Sequence, residues 1–470
     1  MSTSRRPAMT HMNEYRFDGG YPDDATVSAA YDAADLMRAV QCYKHFFPLV
    51  SGAMIFAGQA PVGVVPNRVF GYMDTRPEQV GFTLNSDTPY GGILLDLHIG
   101  PVVIEIPAGP VIGAVLNFDQ SWITDVGIPG RDGGRGGSYL ILPPGHTGDV
   151  PDGYLVAQAQ TFKVVAGLRG IPREGDVRGA LELLQMTAVH PLDDSVSWET
   201  PTWIDMSGRP QDTSPAVLQG TLDYWRVLHG ALQDEPQRPD DRAYESELAV
   251  LGIERGREFA PDERMQDILA RAAVEADAQL RVQSLADRRP DRTVWPDRYW
   301  EWVTLRPENA AFEIGGRTDV DARETWFYQA IASSPAMFRR VPGGGSLYWF
   351  SGRDSDGVYL DGGREYTLRI PAPVPARLFW SVTVYDAVTR SQIATDQSRA
   401  ALRSMFELSG ATDQGLDHVL RFGPEQPATG EEQWVKTIPG RGWFVYLRLY
   451  GPTEAAFDGT WLPGDITAEG

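Results

Sequence analysis

Apolar positions along this chain change their period twice. Leu36, Val40 and Tyr43 fall at near-helical spacing, which predicts a helix over residues 32–47. From about residue 80 the apolar runs become short, at 91–97, 102–106, 111–118, 139–142 and 162–168, each bounded by Gly, Pro or Asp. That texture predicts strands of a β-sandwich rather than alternating βαβ units. Helical spacing then returns. Ser214-Pro215 reads as an N-cap and first-turn pair ahead of Leu218, Leu222, Trp225 and Leu228, and Pro261-Asp262-Glu263 opens a second stripe through Met265, Ile268, Leu269, Ala272 and Ala276. A shorter helix is predicted over 177–186, with connecting loops at 236–241 and 288–296. Short strands resume from 346 to 461.

The two β sections resemble each other. Ile104-Glu105-Ile106-Pro107-Ala108 recurs as Leu368-Arg369-Ile370-Pro371-Ala372, and each is followed by an apolar strand ending in aromatic-Asp, at Phe118-Asp119 and Tyr385-Asp386. Leu168-Arg169-Gly170 has a counterpart near Leu447-Arg448-Leu449-Tyr450-Gly451. Matching strands in one order, with Asp386 lying 267 residues beyond Asp119 (386 − 119), predict a duplicated module rather than a solenoid. The fold class expected is mainly β with α: two duplicated antiparallel, jelly-roll-like β-sandwich domains with a helical section between them. The boundaries read as a flexible arm over 1–25, an N-terminal sandwich with its leading helix over 26–174, a helical section over 175–335 and a C-terminal sandwich over 336–470.

Composition narrows the partners. The 470 residues hold 42 Lys and Arg against 63 Asp and Glu, a net charge of −21, so neither nucleic acid nor an anionic membrane surface is an expected partner. The single cysteine excludes an internal disulfide framework. Met-Ser-Thr-Ser-Arg-Arg-Pro precedes no apolar run, and the uncharged stretch 46–66 is broken by Pro48, Pro61 and Pro66 with Gly52, Gly58 and Gly63, which reads as an irregular core segment. A cytoplasmic location is the expectation.

Several stretches carry a further resemblance. They are Leu84-Asn85-Ser86-Asp87-Thr88-Pro89-Tyr90, Phe118-Asp119-Gln120-Ser121-Trp122 and Gly137-Ser138-Tyr139 through Pro143-Pro144-Gly145. In the second half they are Phe379 through Asp386 with Thr389-Arg390, and Gly442-Trp443-Phe444 with Leu447 through Pro452. On these the chain resembles the two-module family of domains of unknown function 1254 (N-terminal) and 1214 (C-terminal). The resemblance implies paired jelly-roll-like sandwiches and no particular activity. The chain departs from the family pattern at Gln433, where Asn is usual before Trp, and at Pro89, where Leu is more usual.

No nucleophile elbow, phosphate-binding loop or dinucleotide fingerprint is present. The seven histidines show no His-x-His or His-x-x-x-His pair; a zinc site would need separate strands, with His98 and His146 as candidates, and no metal or cofactor is expected. The glycine-rich 130–137 reads as a flexible β-loop, and Asp354-Ser355-Asp356-Gly357 as a hairpin turn rather than a calcium loop. Asn85, Asp87 and Tyr90 form the strongest catalytic candidate. Polar residues at alternate strand positions put Asn85 and Asp87 on one face, a buried Asp87 acts as acid or base, and Tyr90 donates to an oxyanion. The same residues also suit a capped turn. Thr88, Gln120, Trp122, Tyr385 and Arg390 are the substrate-binding candidates. The repeat-equivalent Asp119 with Arg169, and Asp386 with Arg448, read as ion pairs bracing each sandwich. Three tryptophans within 295–302 read as interdomain packing or a carbohydrate platform.

These residues predict a small-molecule enzyme, a hydrolase or other acid–base catalyst, working in a cleft of the N-terminal sandwich. A non-catalytic module binding a carbohydrate or aromatic small molecule is the alternative, and a homo-oligomeric assembly protein the third reading.

Overall fold

Pro48 does not end the first helix. In the computed structural model, which describes residues 15–78, 81–209, 211–307, 309–410 and 415–469, that helix runs Asp24–Gln59 and leads into a 3-10 turn, Ala60–Val62. The expected bounds of 32–47 and the irregular stretch 46–66 are thereby corrected. The glycines that read as breakers are points of close approach. A Cβ at Gly52 would lie 1.7 Å from the Phe118 carbonyl oxygen, and one at Gly58 only 2.1 Å from that of Asp212. Upstream, Phe17–Asp18 pairs with Tyr21–Pro22 in a short hairpin, and residues 1–14 of the expected arm lie outside the described residues.

Residues up to 46, 218–233 and 237–279 form one unit, and 47–217, 234–236 and 280 onward form the other. The first is helical. Within it Tyr43 stacks on Tyr224 with ring centroids 3.7 Å apart, Trp225 meets Tyr43 edge-on, and the Trp225 indole donates to the Leu269 carbonyl at 2.9 Å. His45 bonds Asp241 at 2.8 Å and stacks on Tyr244. The helix expected directly after Ser214-Pro215 starts later. Pro215–Leu218 is a 3-10 turn, Gly220 takes a φ of 70°, and the helix is Asp223–Asp234. The predicted helices near 177 and 263 are present as Val177–Gln185 and Glu263–Leu285.

The second unit holds both sandwiches. In the first, a six-stranded sheet has the order Thr202–Asp205, Val69–Met73, Tyr90–Asp96, Lys163–Gly170, Val111–Asn117, Trp122–Gly127. A four-stranded sheet runs Ala188–Pro191, Val102–Ile106, Gly137–Leu142, Leu155–Gln158. One core joins them: Ile93, Leu95, Val115 and Leu168 from the larger sheet meet Val102, Ile104 and Ile141 from the smaller. In the second sandwich the larger sheet is Glu301–Trp302, Ser346–Ser351, Trp443–Pro452, Ala376–Asp386, Ala401–Arg403. The smaller is Trp434–Lys436, His418–Gly423, Tyr366–Ile370, Thr467–Ala468.

Apart from the edge strand Thr202–Asp205, the second sandwich repeats the strand order of the first. Lys163–Gly170 and Trp443–Pro452 occupy the same interior position, flanked in each case by the equivalent antiparallel neighbours. Even the unusual parallel pairing recurs, between Gly137–Leu142 and Leu155–Gln158 and between His418–Gly423 and Trp434–Lys436. These parallel pairs and that of Thr202–Asp205 with Val69–Met73 make the sheets mixed rather than wholly antiparallel. The edge strands Ala188–Pro191 and Thr202–Asp205 come from the stretch read as helical, where short runs carry too little alternation to register.

The tryptophan-rich stretch belongs to the second sandwich's own core. Trp300 is fully buried there, its indole donating to the Gly464 carbonyl at 2.9 Å, while Trp295 and Trp302 pack on Trp349. Asp354 makes the expected turn, its Oδ1 accepting the Asp356 and Val358 amides at 3.0 and 2.9 Å. The 130–137 loop is braced rather than loose: buried Asp132 accepts the Gly127 amide at 2.8 Å and the Tyr139 hydroxyl at 2.5 Å. The predicted Asp–Arg braces are absent. Asp386 instead pairs with Arg441 at 2.7 Å, Asp119 accepts the Ser121 hydroxyl at 2.6 Å, and Arg169 and Arg448 turn elsewhere.

Candidate functional site

The duplication places two arginines at equivalent points. Arg169 faces Tyr90 across one strand pair and Ile112 across the other, while Arg448 faces Tyr348 and Ser381 in the same register. Each sandwich thus offers an Arg–Tyr couple on the outer face of its larger sheet. Both couples line a single cavity of about 690 Å³, whose wall is otherwise dominated by apolar side chains such as Ile55, Phe82, Leu116, Ile171 and Trp326. Tyr446 and Tyr450 complete the aromatic side.

Among the described residues neither arginine forms a close ion pair, although both act on the buried Asp87 carboxyl. Burial works against the charge on Arg169, but the Tyr450, Tyr90 and Tyr348 hydroxyls around it hold its pKa above the ordinary arginine value. Arg448 is 4% exposed, and burial is again outweighed, here by Tyr385, Tyr450, Tyr348 and Asp87. Its Nη2 donates to the Thr83 carbonyl at 2.8 Å, and its buried Nη1 has no hydrogen-bond partner among the described residues. An unmet guanidinium donor in a low-dielectric wall is strongly attractive to an oxyanion.

The stretch 81–88 is a turn, not a strand. Asn85 Oδ1 accepts the Asp87 amide at 2.8 Å, the Thr88 amide at 2.9 Å and the Thr88 hydroxyl at 3.1 Å, so this side chain is consumed by the backbone. The expected shared face for Asn85 and Asp87 is therefore corrected. The Tyr90 hydroxyl accepts both the amide and the side-chain N–H of Asn85, which leaves its own proton to donate into the cavity. Asp87 is fully buried and lies behind the wall. Its Oδ2 accepts the Ser381 hydroxyl at 2.8 Å, its Oδ1 is without a hydrogen-bond partner among the described residues, and burial pushes its pKa up against the pull of Ser381, Arg448, Arg403 and Arg169. Asn85→Ala removes three acceptances at once and is expected to cost about 1–3 kcal/mol in chemical denaturation. A loss below a few tenths would show that the turn stands without it.

The other predicted residues scatter. Gln120 lines the cavity, tied to the Pro48 carbonyl at 2.9 Å and to the Ala332 amide at 3.1 Å. Thr88 is spent on the turn. Tyr385 is buried, donating to the Leu84 carbonyl at 2.7 Å, with its pKa raised by burial. Arg390 is fully buried between the Phe82 and Tyr328 rings, outside the cavity wall, so the groove expected for it is not where it sits. Trp122 is 44% exposed, does not line the cavity, and bonds Asp125. His98 pairs with Asp96 at 2.6 Å on the surface, and among the described residues no group of three or more His, Cys, Asp or Glu is placed to hold a metal.

Sequence reasoning passed over Arg169, Arg448 and Asp125. Asp125 is a carboxylate in the cavity wall itself, its pKa raised by burial against bonds from Ser334, the Ala336 amide and Trp122. The recurrence of Leu-Arg in both modules was the available signal, but the acidic partner assigned to it was the wrong one.

Comparison with known proteins follows the same division. Residues 68–191 match the family model described as a protein of unknown function (DUF1254), and 345–454 match that of a second (DUF1214). These ranges coincide with the two sandwiches. No curated protein matches the chain. The crystal structure of the VPA0106 protein from Vibrio parahaemolyticus is similar in fold, at 17% identity and a TM-score of 0.57, covering 93% of this chain and 100% of its own. A putative uncharacterized protein from Burkholderia cenocepacia aligns over 94% of this chain and 96% of its own at 12% identity, with a TM-score of 0.38. The chain thus pairs a DUF1254 match in its N-terminal half with a DUF1214 match in its C-terminal half.

Proposed function

We propose that the protein binds a small organic anion in the cavity between its sandwiches, the negative group held by Arg169 and Arg448. The observation that carries this reading is the buried, unpartnered Nη1 of Arg448 in a wall that Arg169 shares. Leaving such a donor unmet costs on the order of 1–3 kcal/mol, and more for a charged group, which a ligand oxyanion recovers. The cavity volume also suits a metabolite-sized ligand. Tyr90 adds a hydroxyl donor beside Arg169.

Acid–base turnover of that anion is the second reading, and Asp125 favours it. This carboxylate lines the same cavity and burial pushes its pKa up, the direction that suits a group passing a proton to or from a ligand. Asp87 then serves as a positioning residue behind Arg448, and Tyr90 as the donor to developing negative charge.

Titration calorimetry with matched carboxylates, phosphate monoesters and sulfonates against their neutral amides or alcohols tests the proposal. The charged members are expected to bind at least tenfold more tightly than the neutral ones. Equal affinity for both sets overturns the anion reading. Following the bound acid by NMR over hours separates turnover, which consumes it, from simple binding.

A further inference from the structure

The floor of the cavity is shaped by missing side chains. One row across three adjacent strands reads Gly92, Gly167, Ala114, aligned by pairing of Gly167 with both neighbours. The row lies two residues from the Tyr90–Arg169–Ile112 row, on the same sheet face and about 7 Å further along. In the second sandwich the equivalent row is Phe350, Tyr446, Thr383, two of which are large rings. The duplication has diverged here: one copy supplies a trough and the other an aromatic wall. A Cβ at Gly167 would meet nothing within 4 Å, and its φ is not in the left-handed region, so neither backbone strain nor crowding demands the glycine. Open space over an unstrained interior-strand glycine is space for a ligand.

Beyond the trough the wall becomes polar again. A Cβ at Gly92 would stand 3.6 Å from the Gln59 amide. Gln59 is 6% exposed and Gln211 7%; both line the cavity. Gln59 Oε1 and both amide atoms of Gln211 have no hydrogen-bond partner among the described residues. The close approach of Gly58 to Asp212 brings the two amides to one neighbourhood. Two buried amides unsatisfied in the same cavity are as costly in a resting fold as the arginine donor at the other end.

We infer that the ligand is bifunctional: an oxyanion at Arg169 and Arg448, an unbranched or flat apolar middle lying over Gly167 and Ala114, and a neutral hydrogen-bonding group at Gln59 and Gln211, which the Gln59 amide over Gly92 begins. This inference rests on the anion reading above. An amide or hydroxyl terminus meets the glutamines, since each presents both a donor and an acceptor. A second charge does not, because the glutamines carry none to balance it. A branch in the middle of the ligand collides with the trough.

The probes are straight-chain monocarboxylates of about six to twelve carbons, a span suited to a cavity of this size, each compared with its ω-hydroxy and ω-amide counterpart. The wild-type protein is expected to prefer an ω-polar acid over the plain acid of equal length by tenfold or more. In Gln59→Leu/Gln211→Leu that preference is expected to vanish or invert, with the plain acid gaining. Gly167→Leu is expected to lose longer acids by at least tenfold while retaining the wild-type melting temperature. Plain acids that bind as well as ω-polar ones in the wild type, or full-length acids that bind undiminished to Gly167→Leu, overturn the inference while leaving the anion site standing. Failure of every acid to bind overturns both. Should a variant not fold, the wild-type series decides alone.

Discussion

Arg169→Leu is expected to weaken binding of organic anions by about 10- to 100-fold without destabilising the protein. A charge-assisted hydrogen bond is worth roughly 1.5–3 kcal/mol, and about 1.4 kcal/mol is tenfold in affinity. The largest influences on Arg169 are tyrosine hydroxyls, and its pull on Asp87 is shared with Arg448 and Arg403, so an apolar side chain in its place gives up no close ion pair among the described residues. Arg448→Leu should abolish binding as strongly but lower stability as well. It strips the donor from the Thr83 carbonyl and removes the cation that restrains the pKa of Asp87. The sign follows from proton counting. Asp87 has a folded pKa raised above its ordinary value, so between the two values the native state holds more protons than the unfolded one, and stability falls as pH rises through that window. Losing Arg448 raises the folded value further and deepens the fall. Calorimetry with a carboxylate, paired with thermal melts from pH 4 upward, checks both variants. Unchanged binding in either would remove the arginines from the site.

Trp300→Ala is expected to cost about 3–5 kcal/mol of stability, the range for truncating a buried aromatic. Its ring is fully enclosed in the second sandwich's core, and its loss also orphans the Gly464 carbonyl. At about 2–4 °C per kcal/mol for a domain of 150–250 residues, the melting temperature should fall by roughly 10 °C. Trp122→Ala, at an exposed position, should stay within about 1 kcal/mol. Denaturant titration of the two variants is the measurement. Near-equal losses would mean that Trp300 is not a core residue, and would restore the reading of 295–302 as an aromatic platform.

The contrast between these tryptophans shows where sequence patterns mislead. A cluster of rings in eight residues looks like a surface device, yet burial depends on segments that arrive later in the chain, the strand that carries Trp349 and the stretch around Trp461. Pro48 and Gly52 failed as breakers for a related reason: tight packing against Phe118 requires glycine inside a helix that local propensity alone would interrupt. The Asn85 turn was legible as one of two readings, because Asn, Asp, Thr and Pro in sequence have few local outlets other than a cap. Trp122 and Arg390 share the family-like motifs with Tyr90, but one is exposed outside the cavity lining and the other lies between two rings.

Sequence alone determined that the chain is two copies of one β module with helices added, because strand periodicity and repeated segments are local properties that survive without contacts. It also singled out Tyr90 and the stretch around it. Only the tertiary structure decided the chemistry. Arg169 and Arg448 lie 279 residues apart (448 − 169), and nothing in either neighbourhood says whether its partner is an aspartate or a cavity. That choice is made when the two larger sheets line one cavity, where unmatched charge is retained only if something else supplies the counter-charge.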